Sequence, residues 1–223
     1  YLRGDYEVTD TQSIPSIEQV AFGKKAKKIK LCAFCIDMRK SSDLLTVHNK
    51  QTCGKIHKAF LTVVSQIVID LGGEIRSFNG DGLLAFWPAN TQSDIGKAVE
   101  AAMKIKFLLN DKLSPLFEEY EKIDFGIGID FGDVYIVRAG IPRNSNNNDL
   151  VFIGPCVNFA TAISDQAQGP NHVEISKSTY DNLPKTCIFG KKDGQDVDMW
   201  KDGSAQWKGD KYPTKLTSWQ WKL

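Results

Sequence analysis

The 223-residue chain is predicted to fold as an α/β domain of the α+β kind, with helices packed on a mostly antiparallel sheet. Three observations predict this fold. An apolar run begins at Leu31 and ends on Asp37, as a buried strand would. Apolar residues flank the turn sequence at 79–82, as in a β-hairpin. Apolar residues also recur at helical spacing between and after these segments, which gives the element order βαββαβ.

The composition is that of an ordinary globular protein, with 42% hydrophobic residues, 25% charged residues and a net charge of +1. Such a charge gives no reason to expect nucleic acid or an anionic membrane as a partner. No apolar run has the length of a membrane span and no signal-peptide core is visible, so we expect a cytoplasmic protein. Residues 1–26 are polar without periodicity and are interpreted as an N-terminal extension, and residues 27–223 as one domain.

The five cysteines are expected to be free thiols, because an odd number without framework spacing does not indicate disulfides. Cys32 and Cys35 match a C-x-x-C pattern, but residues three apart on a strand point to opposite faces. No close pair of histidines occurs, so a zinc site is not expected.

After the first strand, Ser41 or Ser42 is expected to cap a helix that starts near Asp43. Gly72 and Gly73 are expected to end this helix. Its predicted core stripe consists of Ile56, Phe60, Val63, Ile67 and Leu71.

The next segments predict a hairpin of strands 74–79 and 82–88, followed by a helix that Ser93 or Asp94 caps. A short helix is expected over 113–120, after a break.

A glycine-rich strand is predicted over 124–130, with a turn at 131–133 that leads into a strand at 134–137. A short strand at 150–154 precedes a helix that Pro155 opens.

Towards the C-terminus, strands are predicted at 172–175, 186–189 and 216–223, with Ser176 capping a helix after the first. The tryptophans near this end are interpreted as packing residues rather than as a surface for stacking bases.

Two carboxylates stand where strands end, Asp37 after the first strand and Asp81 in the hairpin turn. A turn aspartate alone is explained by turn chemistry, as a solvated hairpin tip. Two carboxylates on neighbouring strand ends repel each other, unless one takes a proton or a cation binds between them. Mg²⁺ commonly binds a few carboxylate oxygens together with substrate phosphates. The helix expected to start beside Asp37 would offer N–H groups to a phosphate chain.

Four segments in order resemble the catalytic domain of the class III nucleotidyl cyclases. The resemblance spans about 28–183, together with the terminal strand. The segments are Phe34–Met38, Asn79–Phe86, Phe125–Gly132 and Phe152–Ala160.

This resemblance implies a homodimer, arranged head to tail, with composite active sites for a nucleoside triphosphate. Asp37, Asp81 and the backbone carbonyl of Met38 would hold two Mg²⁺ or Mn²⁺ ions. The ribose 3′-oxygen would attack the α-phosphorus and displace pyrophosphate, with the protein supplying position and charge. Asn158 of the partner chain would orient the ribose. Lys208 would contact the triphosphate.

The chain departs from this family where an arginine usually stands four residues after the asparagine, because that residue is Ala162. An arginine there would stabilise phosphoryl charge. Arg138, Arg39 or Lys40 could substitute for it, with Arg138 ranked first. Otherwise the chain would be slow, or would bind nucleotide without chemistry.

The two family positions that read a purine are also changed, to Ser77 and Val151. A site without hydrogen-bond partners for a purine loses discrimination for that base. Together with the retained carboxylates, this resembles the pyrimidine cyclases of bacterial anti-phage (Pycsar) systems, which make cyclic UMP or cyclic CMP. UTP is favoured over CTP as the substrate, and an adenylate or guanylate cyclase is the alternative. Arg39, Lys40 and Ser41 are the residues expected nearest the phosphates.

Overall fold

The computed structural model describes residues 4–117, 123–142 and 144–223. The strands are β1 Glu7–Asp10, β2 Lys25–Met38, β3 Glu74–Asn79, β4 Gly82–Pro88, β5 Phe125–Gly140, β6 Asn148–Ile153, β7 Val173–Ser176, β8 Phe189–Lys192, β9 Gln195–Asp198, β10 Lys201–Trp207 and β11 Asp210–Thr217. The α-helices are α1 Ser41–Val47, α2 Lys50–Asp70, α3 Gln92–Phe107, α4 Pro155–Ser164, α5 Lys177–Asp181 and α6 Lys185–Ile188.

One sheet organises the described residues, with the strand order β10-β11-β7-β5-β2-β4-β3. In addition, β1 pairs with β2 and β6 pairs with β5, while β8 and β9 form a separate hairpin. Among the strand pairs of the described residues, only β1–β2 and β5–β7 are parallel. The predicted α+β class with a mostly antiparallel sheet is confirmed.

Strands β2 and β5 form the centre of the sheet, paired from Lys27 opposite Ile136 to Met38 opposite Phe125. The predicted turn at 131–133 is therefore wrong. Gly132 lies opposite Leu31 within the ladder, and this continuous pairing keeps the chain extended through the glycine. Glycine allows a turn, but neighbouring strands decide whether one forms.

The two faces of the sheet carry separate cores. On one face, Phe34, Phe60 and Phe125 belong to the main cluster, which α2 and α3 cover. On the other face, Leu31 and Ala160 belong to a second cluster, which α4 covers. Because side chains alternate along β2, Asp37 shares the face of Leu31 and hence of α4.

The predicted first helix is two helices in the structure. Lys40, with φ +55°, precedes α1, and neither Ser41 nor Ser42 caps it because both lie inside the helix. The Asn49 side chain accepts from the Thr52 N–H and starts α2. The predicted apolar stripe begins only at Ile56, after the break, so it does not mark where α1 ends and α2 begins.

The third helix begins two or three residues earlier than predicted. Thr91 is its N-cap, and Asp94 completes a capping box as the third helical residue rather than serving as the cap. A π-helical turn at Leu108–Leu113 and a 3₁₀ turn at Ser114–Phe117 occupy the predicted break and short helix. The remainder of that prediction, residues 118–120, lies outside the described residues.

The C-terminal predictions are wrong in two places. Of residues 186–189, expected as a strand, the first three lie in α6, and β8 begins only at Phe189. The last strand ends at Thr217, because it pairs with β10 and β7 rather than continuing to Leu223. The packing role of the tryptophans is confirmed for Trp200, which is buried and donates its indole N–H to the Cys187 carbonyl.

The N-terminal segment packs on the α4 side of the sheet. Ile14 and Val20 are buried in the second cluster, and β1 lies beside β2. The carboxylate of Glu7 on β1 pairs with Lys25 on β2. All five cysteines are free, as predicted.

Glu174 on β7 is a buried acid, 6% exposed, whose carboxylate accepts from the Thr214 hydroxyl. Burial raises the pKa of Glu174. The folded state therefore binds the proton more tightly than the unfolded state, and this group costs stability once the pH exceeds its unfolded-state pKa. We expect Glu174→Gln to increase the free energy of unfolding at pH 7 by about 1 kcal/mol. The gain should vanish near pH 4.

Denaturant unfolding at both pH values measures this effect. Asp210→Asn, which changes an exposed carboxylate on β11, is the matched control and should change neither value. A destabilised Glu174→Gln variant at pH 7 would contradict the expectation.

Candidate active site

Asp37 and the hairpin that carries Asp81 meet at one edge of the α4 face. The β2–β4 register ends with Ile36 opposite Leu83, so that Asp37 comes to lie beside Gly82. A Cβ on Gly82 would stand 2.8 Å from Oδ1 of Asp37 and 2.9 Å from the Ile36 carbonyl oxygen. The carboxyl group of Asp37 thus lies against the residue that follows Asp81, and the missing side chain of Gly82 makes this approach possible.

The negative charges of Asp37 and Asp81 are only partly balanced by neighbouring cations and hydrogen-bond donors. Burial is the main cause that raises the pKa of Asp37, followed by the charge of Asp81, while the Arg39 guanidinium lowers it. Oδ2 of Asp81 is buried and has no hydrogen-bond partner among the described residues. A buried carboxylate oxygen without a donor is costly unless a cation satisfies it. The residues therefore fit a divalent ion.

In the described parts of the chain, no histidine, cysteine or further acidic side chain joins Asp37 and Asp81 to form a metal-binding group of three. The side chain of Met38 is buried in the main core, so only its backbone could contribute. Two carboxylates fit an ion whose remaining ligands are water and substrate oxygens, as Mg²⁺ prefers.

Arg39 lies directly beside Asp37. Its Nε donates to the Ala167 carbonyl at 3.0 Å, and its Nη2 is buried without a hydrogen-bond partner in the described residues. Nη2 stands 2.3 Å from where a Cβ of Gly126 would be, and Gly126 is the β5 residue opposite Asp37. The sequence analysis proposed Arg39 as one of several cations that could substitute for the missing arginine. The structure distinguishes it by this open donor next to the carboxylates.

A cavity of about 380 Å³ adjoins this position. Lys40 and Asp43 line it together with Met38 and Arg39. Lys40 is exposed, and Ser41, the first residue of α1, follows it at the surface. The expected phosphate contacts of Lys40 and Ser41 remain predictions.

Helix α4 approaches the sheet closely because two β5 residues lack side chains. A Cβ on Gly128 would stand 2.0 Å from the Ala160 carbonyl oxygen, and one on Gly126 would stand 2.2 Å from the Ser164 carbonyl oxygen. Asn158 lies beyond Ala160, farther from Asp37, and is exposed. The amide of Asn158 is thus available to another molecule rather than to the carboxylates of its own chain.

Ala162, at the position where the family usually has arginine, packs in a small aromatic cluster with Phe159, Trp207 and Tyr212. Lys208 follows Trp207 in the β10–β11 turn and places its Nζ 4.4 Å from the centroid of the Trp207 ring.

The Gln166 side chain fastens the β10–β11 hairpin to α4. Its Nε2 donates to the carbonyls of Ala162, at 2.7 Å, and Gln206, at 3.1 Å. Its Oε1 accepts from the Gln206 N–H at 2.8 Å. Sequence reasoning missed this residue because an isolated glutamine gives no signal of a contact 40 residues away.

Arg138 is not brought to the carboxylates of its own chain. It lies twelve positions after Gly126 on β5, roughly 40 Å along an extended strand. Its Nε donates to Oδ1 of Asn148 at 3.0 Å, and its guanidinium lies 4.5 Å from the Phe22 ring centroid. A catalytic contribution from Arg138 would therefore require a second chain.

The two positions expected to read the base lie on elements that contact each other. A register shift between Ile75 and Ser77 places Ser77 opposite Leu84. Val151 precedes Phe152, whose ring stacks on Phe86 at 4.7 Å.

Arg76, next to Ser77, lies 4.7 Å from the Phe152 ring centroid. This cation near the base position was missed, since only the fold brings β3 and β6 together.

Comparisons with known proteins support the resemblance. The chain is 29% identical to a uridylate cyclase from Burkholderia cepacia over 226 residues, which covers 99% of this chain and 93% of the relative. It is 28% identical to a uridylate cyclase from Rhodovulum sp. over 85% of this chain and 81% of that protein. No family model matches the chain.

Solved structures show the same fold. The adenylyl cyclase CyaB from P. aeruginosa superposes with a TM-score of 0.71 at 19% identity, over 86% of this chain and 95% of that one. A crystal structure of a guanylyl cyclase gives a TM-score of 0.67 at 22% identity, over 85% and 91% of the two chains. With its carboxylate pair at the strand ends, the chain is similar in sequence to uridylate cyclases and shares the fold of class III cyclase catalytic domains, and these similarities support a nucleotidyl cyclase enzyme.

Proposed function

We propose that this cyclase is a metal-dependent uridylate cyclase, which converts UTP into 3′,5′-cyclic UMP and pyrophosphate. The observation that carries the metal-dependent chemistry is the approach of Asp37 to Gly82, the residue after Asp81, together with the charge interaction of the two carboxylates and a buried Asp81 oxygen left unsatisfied. The uridylate cyclases among its relatives support the choice of UTP.

The chain's own residues would bind and position the substrate. Asp37, Asp81 and the Met38 carbonyl would hold Mg²⁺ or Mn²⁺. When bound, such ions neutralise the triphosphate and lower the pKa of the ribose 3′-hydroxyl. Arg39, fixed by the Ala167 carbonyl, would direct its open Nη2 towards the phosphates. Because the ends of β2 and β4 are rigid parts of the sheet, they would hold the triphosphate ready for in-line displacement.

The two positions expected to contact the base lack the side chains that would recognise a purine, which supports specificity for a pyrimidine. Val151 has no hydrogen-bonding side chain, and Ser77 has a short hydroxyl instead of a long cation. The polar edge of a purine would find no hydrogen-bond partners at these two positions, so the site would not select a purine.

The active unit is proposed to be a homodimer with composite sites. Asn158 is exposed and turned away from its own carboxylates, so only a partner chain could use it at the site. Three apolar side chains on the β5–β6 arm are also exposed, namely Tyr135 at 43%, Val151 at 42% and Ile153 at 53%. Burial of this patch against a second copy would favour association.

Product identification tests the proposed reaction. The purified protein is incubated with each of the four nucleoside triphosphates and Mn²⁺, and the products are identified by mass spectrometry. We expect cyclic UMP from UTP and no comparable product from the other three. Cyclisation of ATP or GTP alone would refute the base assignment, and cyclisation of CTP alone would favour the cytidylate alternative.

A second candidate function is nucleotide binding without chemistry, which Ala162 at the usual arginine position favours. The costly carboxylate pair opposes it, since a binding module would not need both charges. Nucleotide binding by calorimetry without any release of pyrophosphate would decide for this candidate.

The proposed role of the product is an anti-phage signal, which rests on the resemblance to Pycsar cyclases. Cells that express the wild-type chain with its native neighbouring genes should resist phage in plaque assays. If a strain with Asp81→Asn resists phage equally well, the resistance does not depend on the cyclase reaction.

Arg39→Met is expected to lower kcat/KM for UTP by about 100-fold, because it removes the cation that acts on Asp37 and that would stabilise charge on the phosphates. Arg39→Lys should recover part of this loss, since lysine keeps the positive charge but lacks the planar guanidinium with its several N–H donors. Arg138→Met is the matched control, and steady-state pyrophosphate release is the measurement. A larger loss in Arg138→Met than in Arg39→Met would transfer the role to Arg138 of a partner chain.

Asn158→Ala should lose turnover without losing stability, because the side chain is exposed. If sites are composite, mixing it with Asp37→Asn chains restores activity, since the mixed dimer has one site with neither change. Random pairing predicts about one quarter of wild-type activity in a two-fold dimer. No recovery after the two chains are unfolded and refolded together would refute the composite site.

A further inference from the structure

A large cavity in the described structure, about 1470 Å³, lies outside the carboxylate site. It is bounded by the end of α3, the loop before β7, the β8–β9 hairpin and the C-terminal tail. Its volume exceeds the usual range for a small-molecule site, so a nucleotide-sized ligand would fit. Nothing in the cyclase reaction uses it.

The amines that line this cavity are not neutralised within it. Lys192 and Lys201 make no ion pair within the described residues, whereas the neighbouring Lys191 pairs with Asp196 at 2.8 Å. Lys106 is only 2% exposed, and its Nζ donates to the carbonyls of Pro170, at 2.7 Å, and Thr217, at 3.2 Å. These acceptors carry no formal charge, so the ammonium remains a buried source of positive potential.

The two carboxylates that line the cavity are already engaged. Asp124 accepts from the backbone N–H groups of Phe125, at 2.9 Å, and Gly169, at 3.1 Å. Asp198 accepts from the Tyr180 hydroxyl and from the Trp200 N–H. Because neutral donors do not cancel a charge, both carboxylates stay negative, and the three lysine ammonium groups against these two carboxylates leave a small positive excess in the lining, with the Trp219 ring in the same wall.

One loop connects this cavity with the carboxylate site. The Ala167 carbonyl at the start of the loop accepts from the Arg39 side chain, and Pro170 at its end accepts from Lys106. Asp124 joins the two sides again, since its carbonyl accepts from the Arg39 N–H at 2.8 Å and its carboxylate holds Gly169. Ile123 and Asp124 line both cavities.

We propose that the large cavity is a second ligand site for a small organic phosphate with a flat ring, and that its occupancy shifts Arg39 through the 167–170 loop. The phosphate would meet Lys106, Lys192 and Lys201, and the ring would lie against Trp219. The effect on turnover depends on the proposed cyclase function, but binding itself does not.

Calorimetry tests the site with AMP and with inorganic phosphate as probes. AMP carries a phosphate and a flat ring, but not the base of the proposed substrate. The protein is the full chain with Asp37→Asn and Asp81→Asn, in metal-free buffer, so that the carboxylate site contributes little. We expect one AMP site per chain, with weaker binding of phosphate alone.

In the same background, Lys192→Glu with Lys201→Glu should weaken AMP binding at least tenfold, whereas Lys191→Glu should leave it unchanged. Absence of AMP binding at millimolar concentration, or binding that survives the double charge reversal, overturns the site. Binding of phosphate as tight as that of AMP overturns the ring contact.

Turnover of UTP by the otherwise wild-type chain tests the coupling separately. AMP should change kcat in the wild-type chain but not in the Lys192→Glu, Lys201→Glu variant. An unchanged kcat at saturating AMP overturns the coupling while leaving the site. If the chain cyclises no nucleotide, the proposed function fails and the calorimetric result still decides the site.

Discussion

Replacing Asp37 with asparagine is expected to lower cyclase turnover by about 1000-fold or more while the fold is retained. The amide preserves the shape of the side chain but removes the charge that a divalent ion requires. Loss of the group that organises phosphoryl charge commonly costs several orders of magnitude. Pyrophosphate release with UTP and Mn²⁺ measures the effect, and circular dichroism verifies the fold.

Stability provides an independent readout for the same variant. Because burial and Asp81 raise the pKa of Asp37, its ionised form costs free energy in the folded chain at neutral pH. Asp37→Asn should therefore melt at the same temperature as the wild type or higher in metal-free buffer. The control is Asp133→Asn, which alters an exposed carboxylate paired with Lys28 at 3.1 Å and should keep full turnover. Turnover of Asp37→Asn within tenfold of the wild type would remove the basis of the metal assignment.

Gly128→Ala is expected to destabilise the chain by about 3 kcal/mol, because its methyl group cannot be accommodated in the packed interior. The new Cβ would lie 2.0 Å from the Ala160 carbonyl oxygen and 2.4 Å from the Ser164 backbone N. Both contacts are with the backbone of α4, so the helix must move as a unit. Since α4 carries Asn158, turnover should fall in addition.

Gly132→Ala is the matched control on the same strand. Its Cβ would meet Cys156 at 3.5 Å, an ordinary contact distance, so we expect a change below about 1 kcal/mol. Denaturant unfolding monitored by tryptophan fluorescence gives both values. Equal stability of the two variants would show that α4 can move away from β5 without cost.

The predictions for Glu174, Arg39 and Asn158 test different properties of the molecule. Glu174 tests the energetics of the sheet, Arg39 the charge near the phosphates, and Asn158 the assembly of the site. A chain could lose turnover through any of the three, but only defects in the two halves of a composite site, such as Arg39 and Asn158, should complement each other when the two variant chains are mixed.

None of the helices in the described residues is long and apolar enough to cross a bilayer. This agrees with the sequence, in which no apolar run reaches that length.

Local chemistry in the sequence determined the hairpin of β3 and β4, the start of α4 at Pro155 and the strand that ends at Asp37. Each depends on neighbours along the chain, such as a turn pair or a proline at the first helical position. The resemblance to class III cyclases was also available from sequence, because its motifs are contiguous. The carboxylate pair could therefore be named before its geometry was known.

Only the tertiary structure decided the features that depend on distant partners. Gly132 remains in a strand because β2 pairs across it, and residues 186–188 lie in a helix although their propensity favours a strand. The open Nη2 of Arg39, the Gln166 contacts and the cavity around Lys106 all join segments far apart in the chain. Sequence spacing carries no record of such contacts, because burial and long-range hydrogen bonds exist only once the sheet has assembled.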